Sequence, residues 1–269
     1  MKEMNIFFWN LAKNELSSLV TTALKEYDID IAFFCEYLKT DFNKIITNLE
    51  NTYEWIDGFG ACNKVTCLIR KPNKITFLQE QSRFTIYNVA FADETTDTEK
   101  EYIIACVHLP DMRNSPKPYV RMNVMKELTE NIKVIEKNDY KRKTIVLGDF
   151  NAEPYSDEML LRAGMNTVLF KKEMDPETVK IGNANYRRFY NPILNCISED
   201  KEQYGSFRFG NDPGPIWHCL DQLLMRKSAM PDFYQFKYIK KIGNITLIKR
   251  KNPDKTYSDH LPFIATFKI

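Results

Sequence analysis

Compact apolar segments alternate with helical repeats in the first 56 residues. Met4 to Trp9 and Ile29 to Cys35 are nearly continuous apolar runs, which are typical of buried strands. Each is followed by apolar residues at helical spacing, from Leu16 to Tyr27 and from Phe42 to Leu49. A further short strand is predicted over Tyr53 to Ile56. This alternation of strand and helix favours an α/β protein.

The middle of the chain changes to a succession of β-rich runs separated by polar breaks. Short connections between such runs favour antiparallel pairing. A proline-rich loop then leads into a long helical repeat from Val120 to Ile135. The predicted strands of this region are Val65 to Ile69, Ile75 to Leu78, Phe84 to Phe91 and Tyr102 to Val107.

The last part of the chain begins with a short buried strand, Thr144 to Leu147, and a predicted helix start at Ser156, whose side chain can cap free N–H groups. Residues 171–212 are polar and irregular, which predicts long loops with short elements. Because no linker composition or repeat divides the chain, we expect a single domain over residues 1–269. The remaining predicted strands are Ile216 to Met225, Phe233 to Ile239, Asn244 to Ile248 and Pro262 to Phe267.

The net charge, the cysteine positions and the N-terminal run limit the ligands and the cellular compartment that can be expected. With a formal net charge of +2 the chain has no strong global field, so a polyanionic ligand would need a local basic patch. The six cysteines mostly lie in apolar runs without CxxC pairs, which predicts reduced, buried thiols. The N-terminal apolar run stops at Asn10, too short for a secretion signal or a membrane span. We therefore expect a cytosolic protein.

Polar side chains stand where several predicted strands end. Asn10, Glu36 and His108 each follow an apolar run. Asp149 and Asn151 follow the strand that ends at Leu147 in the same way. Strand ends are where rigid scaffolds display functional groups. Each residue alone could be an ordinary turn or strand-end residue, but together they predict a shared rim.

The residue types on this rim suit phosphoester hydrolysis. Mg²⁺ prefers oxygen ligands at about 2.1 Å and usually takes one or two carboxylates together with waters and substrate oxygens. Glu36 and Asp259 are candidates for that role. Hydrolysis also needs a positioned water, a base for it and donors for the charge that grows on phosphorus oxygens. Asp149, the two asparagines and the histidines can supply these groups.

Six short blocks resemble, in order, the signature blocks of the deoxyribonuclease I-like endonuclease/exonuclease/phosphatase superfamily. The resemblance spans nearly the whole chain, and the ordered set at strand ends is highly specific. It implies a four-layer α/β/β/α sandwich, with two packed, mainly antiparallel sheets flanked by helices and the active site at one edge. The blocks are Trp9-Asn10, Cys35-Glu36, His108-Leu109-Pro110, Gly148-Asp149-Phe150-Asn151, Leu220-Asp221-Gln222 and Ser258-Asp259-His260.

The resemblance also implies a metal site and a water-activating pair. Glu36 looks like the principal metal ligand, with Asn10 and Asp259 close to a Mg²⁺ ion for which Mn²⁺ can substitute. Asp149 and Asn151 resemble the pair that orients or deprotonates the attacking water and contacts phosphate.

Two histidines belong to the implied site. Asp221 resembles the acid that hydrogen-bonds His260, which leaves that imidazole beside the scissile phosphate. His108 resembles the histidine that binds or protonates a phosphate oxygen. In secreted pancreatic-type nucleases a glutamate near the strand corresponding to Val65 to Ile69 supports that histidine. Because Asn63 stands nearby in this chain, the expected role of His108 narrows to phosphate contact.

Two features ahead of the last blocks have competing interpretations. If Asp221 points into the site along a continuous strand, His218 points to the opposite face and lies outside the site. Aromatic and arginine side chains in the irregular segment could form a substrate lip that stacks on bases and clamps phosphates. They could equally be core aromatics with solvated arginines. These residues are Tyr186, Arg187, Arg188, Phe189, Phe207 and Arg208.

Three functions are compatible with these residues. The leading hypothesis is a nuclease that cleaves phosphodiester bonds of DNA or RNA, with nucleic acid as its partner. The second is a phosphatase or phosphodiesterase acting on phosphorylated small molecules or lipid head groups, since related families share the same catalytic residues. The third is a catalytically silent binding module, which the full set of site residues disfavours. Abasic-site repair is disfavoured because that branch carries a tyrosine where His108 stands.

Overall fold

Two large, mainly antiparallel sheets form the centre of the fold. The structure is a computed structural model that describes residues 2–56, 58, 60–93, 98–111, 117–137, 139–198, 205–209, 217–249 and 252–269. Across the first sheet the strands are β16 (Phe233–Tyr238), β21 (Phe263–Lys268), β1 (Glu3–Asn10), β2 (Ile31–Cys35), β4 (Val65–Arg70) and β3 (Tyr53–Ile56). Across the second they are β5 (Lys74–Gln81), β6 (Phe84–Asp93), β7 (Thr98–His108), β8 (Thr144–Asp149), β15 (Asp221–Met225), β12 (Phe189–Tyr190) and β9 (Thr167–Val168).

Among the described residues, parallel pairing in these sheets occurs at three places: β1 with β2, β7 with β8, and β9 with β12. Four small hairpins lie outside them: β10 (Thr178–Ile181) with β11 (Ala184–Arg187), β13 (Phe207–Arg208) with β14 (Trp217–His218), β17 (Lys241–Ile242) with β18 (Ile245–Thr246), and β19 (Ile248–Lys249) with β20 (Asn252–Pro253). The α-helices are α1 (Ser17–Glu26), α2 (Lys39–Leu49), α3 (Pro118–Glu136), α4 (Asp157–Leu160) and α5 (Ile193–Ser198). Short 3₁₀ turns span Lys171–Met174 and Lys227–Ala229.

Alternate side chains of the second sheet enter two different apolar cores. In β7, even-numbered residues from 102 to 106 join the core shared with the first sheet, whereas odd-numbered residues from 103 to 107 pack with α3. The buried face of α1, including Val20 and Leu24, belongs to the core of the first sheet. The layers therefore run from α1 and α2 through the two sheets to α3. This confirms the four-layer sandwich that the sequence resemblance implied.

Three local predictions differ from the structure. The strand predicted over Ile216 to Met225 is interrupted between β14 and β15, and Ile216 lies outside the described residues. The break coincides with a change of partner, because β14 pairs with β13 whereas β15 pairs with β8. The strand predicted over Asn244 to Ile248 is divided between β18 and β19. Ser156 does precede α4, but its side chain makes no cap hydrogen bond and the helix lasts one turn.

No helix in the described ranges combines the length and the apolar character that a membrane span requires.

Candidate active site

The register of three neighbouring strands places three predicted site residues side by side. His108 ends β7 opposite Asp149, which ends β8. Asp149 in turn lies opposite Asp221, the first residue of β15. Because β15 is antiparallel to β8, its beginning meets the end of β8 at one edge of the second sheet. All three side chains are buried there.

The first sheet supplies two more residues at this edge. Asn10 ends β1, and Glu36 follows Cys35, which pairs with Asn10 in the register of β1 and β2. The Asn10 Nδ2 donates to Asp149 Oδ2 at 3.0 Å and lies 3.5 Å from Glu36 Oε1. Its Oδ1 accepts from the Ala12 N–H at 3.0 Å. Asn10 therefore links the carboxylates of the two sheets as a hydrogen-bond donor.

Two backbone features determine where the carboxylates stand. Gly148 adopts φ +139°, and a Cβ there would overlap the Val107 carbonyl, so only glycine allows β8 to approach β7 this closely before Asp149. Glu36 has φ 49°, in the left-handed region that residues with a Cβ rarely adopt. Its carbonyl accepts from the Lys13 N–H at 2.7 Å, which holds the turn after β2 against that after β1. Strained backbone of this kind is found at functional sites.

Asp221 and His260 form a hydrogen-bonded pair. The distance between His260 Nδ1 and Asp221 Oδ2 is 2.7 Å. The His260 backbone is also fixed, because its N–H donates to Ser258 Oγ at 3.0 Å and its carbonyl accepts from Trp9 Nε1 at 2.9 Å. The Phe207 ring packs 4.8 Å from the imidazole. With Nδ1 committed to Asp221, Nε2 is the nitrogen left for a substrate.

Charge interactions within this cluster set two unusual proton affinities. Burial alone would lower the pKa of His260, but Asp221 and Asp149 raise it to about 10. Burial, together with the charge of Asp221, raises the pKa of Asp149 to about 7. The imidazole is thus held as a cation by two acids, while Asp149 can exchange a proton near neutral pH.

His108 is a neutral member of the site. Its Nε2 lies 3.5 Å from Glu36 Oε1 and 3.8 Å from Asp149 Oδ2. Its Nδ1 is buried and has no hydrogen-bond partner in the described ranges. Burial and the nearby charge of Arg83 lower the pKa of His108 to about 3. Among the described residues, the carboxylates within 4 Å of His108 are therefore those of Glu36 and Asp149 and not one near β4.

Asn151 and Asp259 occupy different settings in this arrangement. The Asn151 N–H donates to Asp149 Oδ1 at 2.9 Å, and its side-chain amide donates to the Leu109 carbonyl at 3.0 Å. Asn151 thus ties the turn after β8 to the segment after β7. Asp259 precedes His260, is half-buried, and forms no hydrogen bond or ion pair with any described residue. Its charge contributes to the raised pKa of His260.

Carboxylates at this edge offer two settings for a cation. In the described part of the chain, one group of three acidic or histidine side chains brings its ligand atoms within 4.8 Å of one another: Asp149, Asp221 and His260. The hydrogen bond between Asp221 and His260 already satisfies part of that group. Glu36 stands beside it with a side chain 33% exposed. Since Mg²⁺ prefers oxygen ligands and retains waters, an accessible carboxylate next to buried acids fits this ion.

His218 contacts the loop that follows Asp149, and the continuous strand that was assumed in predicting its direction is interrupted. Its Nδ1 contacts Glu153 Oε1, and the Cys219 N–H donates to Glu153 Oε2 at 3.3 Å. Because β14 and β15 are separate strands, face alternation does not extend from Asp221 back to His218. Glu153 therefore fastens the loop after β8 to the segment before β15. Nothing in the sequence singled out Glu153.

Removing the Glu153 carboxylate is expected to destabilise this loop. Glu153→Ala leaves two largely buried groups without their acceptor and should lower the free energy of unfolding by about 1–3 kcal/mol. Glu153→Gln retains an acceptor oxygen and should restore most of the loss. Urea denaturation measures both. The exposed Glu130→Ala is the control, expected to change stability by less than about 0.5 kcal/mol. Native stability in Glu153→Ala would show that the Glu153 contacts do not stabilise the fold.

The predicted substrate lip is wrong for at least two of its members. Phe189 is fully buried, so it cannot stack on a base. Arg187 pairs with Glu136 at 2.9 Å and with Glu177 at 3.0 Å, and it is neither solvated nor available to a phosphate. Phe207 is buried as well, but its contact with the His260 ring gives it a supporting position in the site.

Two basic residues beside His108 were not found by sequence reasoning. The charges of Arg83 and Lys64 both lower the pKa of His108, and the Arg83 carbonyl accepts from the His108 N–H at 2.9 Å. Both are half-buried and, among the described residues, neither has a carboxylate within 4 Å. They give this edge positive charge suited to an anionic substrate. Isolated basic residues carry no sequence signal, so only the fold reveals them.

Several solved structures share this architecture. No protein-family model matches the chain, and no curated protein matches it either. Among solved structures, TDP2 of D. rerio complexed with single strand DNA product is 15% identical with TM-score 0.63, covering 100% of both chains. An endonuclease/exonuclease/phosphatase family protein from Bacteroides thetaiotaomicron is 13% identical with TM-score 0.63, covering 99% of this chain and 95% of its own. The human Nocturnin catalytic domain with bound sulfate anion is 15% identical with TM-score 0.61, covering 99% and 94%.

At 13–15% identity, the similarity to these structures concerns the fold. The chain has the fold of the deoxyribonuclease I-like endonuclease/exonuclease/phosphatase superfamily.

Proposed function

We propose that the protein is a phosphodiesterase that depends on a divalent metal ion and acts on nucleic acid. The observation that carries this proposal is the hydrogen-bonded set at the shared edge of the sheets, where Asn10 joins Asp149 and Asp221 joins His260. The same fold in TDP2, complexed with single strand DNA product, supports nucleic acid as the substrate class. The proposal includes the cytosolic location expected from the sequence.

The metal site of this proposal centres on Glu36. Its carboxylate is accessible, and Asn10 and Asp259 are the further candidates for holding Mg²⁺. A bound Mg²⁺ supplies Lewis-acid polarisation of a phosphoryl oxygen and helps to orient the substrate. The chemistry of the donors, oxygen atoms beside buried acids, fits this ion and Mn²⁺.

Asp149 is the proposed base for the attacking water. Each of its oxygens accepts one hydrogen bond, from Asn10 Nδ2 and from the Asn151 N–H, so the carboxylate has a fixed orientation. A general base works best when its proton affinity lies near the working pH, and burial moves Asp149 in that direction.

His260 is the proposed donor to the phosphate. Asp221 holds its Nδ1, which keeps the imidazole protonated and leaves the Nε2–H to donate to a phosphoryl oxygen as negative charge develops. Neutral His108, together with Lys64 and Arg83, offers further positive or donor groups along the same edge. His260, Lys64 and Arg83 are cationic donors suited to a phosphate backbone.

A substrate panel tests the function. The protein with Mg²⁺ is incubated with single-stranded DNA, duplex DNA, RNA, phosphoinositides, sphingomyelin and a generic bis-phosphate ester. Metal-dependent cleavage of polynucleotide supports the proposal, with Glu36→Ala and His260→Ala inactive. Turnover confined to lipids or small esters would replace the nuclease assignment with the second hypothesis. A folded protein inactive on every substrate would leave only a binding module.

Chelation of divalent ions is expected to abolish turnover, and Mg²⁺ or Mn²⁺ should restore it. In Glu36→Gln, which retains size but loses charge, the Mg²⁺ concentration for half-maximal activity should rise about tenfold or more, since a Mg²⁺ site uses only one or two carboxylates. Metal titrations by activity and by calorimetry measure the shift. Glu130→Gln, an exposed change away from this edge, should behave as the native protein. An unaltered Mg²⁺ requirement in Glu36→Gln would remove Glu36 from the site.

A further inference from the structure

A cavity of about 820 Å³ lies on the outer side of the second sheet, between α3, the loop after α4 and the β10–β11 hairpin. Its lining includes Glu136, the last residue of α3, and Arg226, which directly follows β15. Asp149 and Asp221 lie side by side at the other end of β8 and β15, away from Arg226. The strand from Asp221 to Arg226 spans about 16 Å at about 3.3 Å per residue. The cavity is therefore separate from the candidate active site.

The floor of the cavity is a charge-balanced ion network. Glu136 Oε1 pairs with Arg226 Nε at 3.0 Å, and Glu136 Oε2 pairs with Arg187 Nη1 at 2.9 Å. Arg187 Nε reaches Glu177 Oε1 at 3.0 Å. Two guanidinium groups thus face two carboxylates, so the floor is rigid and contributes no net charge. These four side chains form the floor of the cavity and are paired with one another.

The walls carry an excess of positive charge. Lys126, Lys133 and Arg162 line the cavity and are exposed, whereas Glu130, 3.9 Å from Lys126 Nζ, is the only acid that the described residues contribute to the walls. Three cations against one anion leave an excess of two positive charges. In the described ranges neither Lys133 nor Arg162 has a carboxylate within 4 Å. Arg162 instead lies 5.7 Å from the ring of Tyr186.

Uncommitted polar groups complete the lining. The side-chain amides of Asn183 and Asn185 form no hydrogen bond with any described residue. Thr178 also lines the cavity, but its hydroxyl is buried and is not accessible from it. The exposed amides of Asn183 and Asn185 can bind phosphoryl oxygens or sugar hydroxyls.

We propose that this cavity binds a phosphomonoester of small-molecule size. Its volume lies within the range of about 300–1,000 Å³ that is typical of small-molecule sites. A phosphomonoester carries about −1.5 to −2 charges at pH 7, which matches the excess on the walls. Walls on three sides and a closed floor suit a compact ligand, whereas a polynucleotide needs an extended groove.

Calorimetric titration of the full chain tests the proposal. Inorganic phosphate, ribose 5-phosphate and 5′-adenosine monophosphate are the probes, with EDTA present so that metal-dependent binding and turnover do not contribute. Lys133→Ala/Arg162→Ala should bind the best probe at least about tenfold more weakly, because two charge-assisted contacts are lost. Lys180→Ala, an exposed lysine on the same hairpin that does not line the cavity, should bind as the native protein.

The relative affinities of the probes identify which part of the ligand is recognised, from phosphate alone to the whole nucleotide. Undiminished affinity in the double variant would overturn the proposal, as would native protein that binds none of the probes at millimolar concentration or binds only polynucleotide. Arg162→Gln alone provides a milder variant if the double variant unfolds. Because binding is measured without metal, the result is independent of the proposed phosphodiesterase activity, which the double variant should retain.

Discussion

Asp149→Asn is expected to lower the turnover of a phosphodiester substrate by about 10³-fold while the protein remains folded, because general-base catalysis contributes about 10²- to 10⁴-fold. The asparagine has nearly the same shape but cannot accept a proton from water. Its single oxygen can replace only one of the two acceptors that Asn10 and the Asn151 N–H use. The loss should therefore appear in the chemical step, which single-turnover kinetics isolates from binding and product release.

The stability of this variant should stay within about 1 kcal/mol of the native protein. Burial and the charge of Asp221 raise the pKa of Asp149, so its ionised form is disfavoured in the fold and a neutral amide relieves that cost. The lost acceptor acts in the opposite direction. Thermal melting measures the balance, and Asp157→Asn, an exposed change a few residues further on, is the control for activity. Native turnover in Asp149→Asn would exclude it as the base.

Strand-end positions of the site residues could be predicted because they depend on local patterns. Runs of consecutive apolar residues mark strands that are buried on both faces, and the structure ends β1 at Asn10 and β8 at Asp149. Glu36 directly follows β2, and His108 is the last residue of β7. The set of residue types predicted a shared rim, but which strands bring them to one edge could not be predicted, since that depends on strand pairing.

Contacts between distant segments could be anticipated only through the resemblance or not at all. Asp221 and His260 are 39 residues apart, and their hydrogen bond requires β15 and the segment before β21 to meet at one edge. The contact of Glu153 with His218 spans 65 residues and has no motif. The interruption between β14 and β15 is equally tertiary, because the two strands pair with different partners, β14 with β13 and β15 with β8. Propensity cannot predict such exchanges of partner.

Loss of either member of the Asp221–His260 pair is expected to reduce turnover by about 10³-fold, and loss of both should cost little more, because residues that act as a unit are not additive. In Asp221→Asn the imidazole loses its main charge partner, so burial should lower its pKa and deprotonate it near neutral pH. In His260→Ala the donor itself is absent. Rates for both single variants and Asp221→Asn/His260→Ala give the coupling between the two residues.

The single and double variants should rank differently in stability than in turnover. His260→Ala leaves Asp221 and Asp149 as two adjacent buried acids without the imidazolium between them, and breaking a buried pair in this way costs about 3–5 kcal/mol. Adding Asp221→Asn removes one of those charges while the cavity left by the imidazole stays the same. The double variant should therefore be more stable to urea than His260→Ala alone at neutral pH. A double variant that is less stable would mean that the imidazolium does not neutralise the buried acids, and His260 would then lose its assignment as the protonated donor.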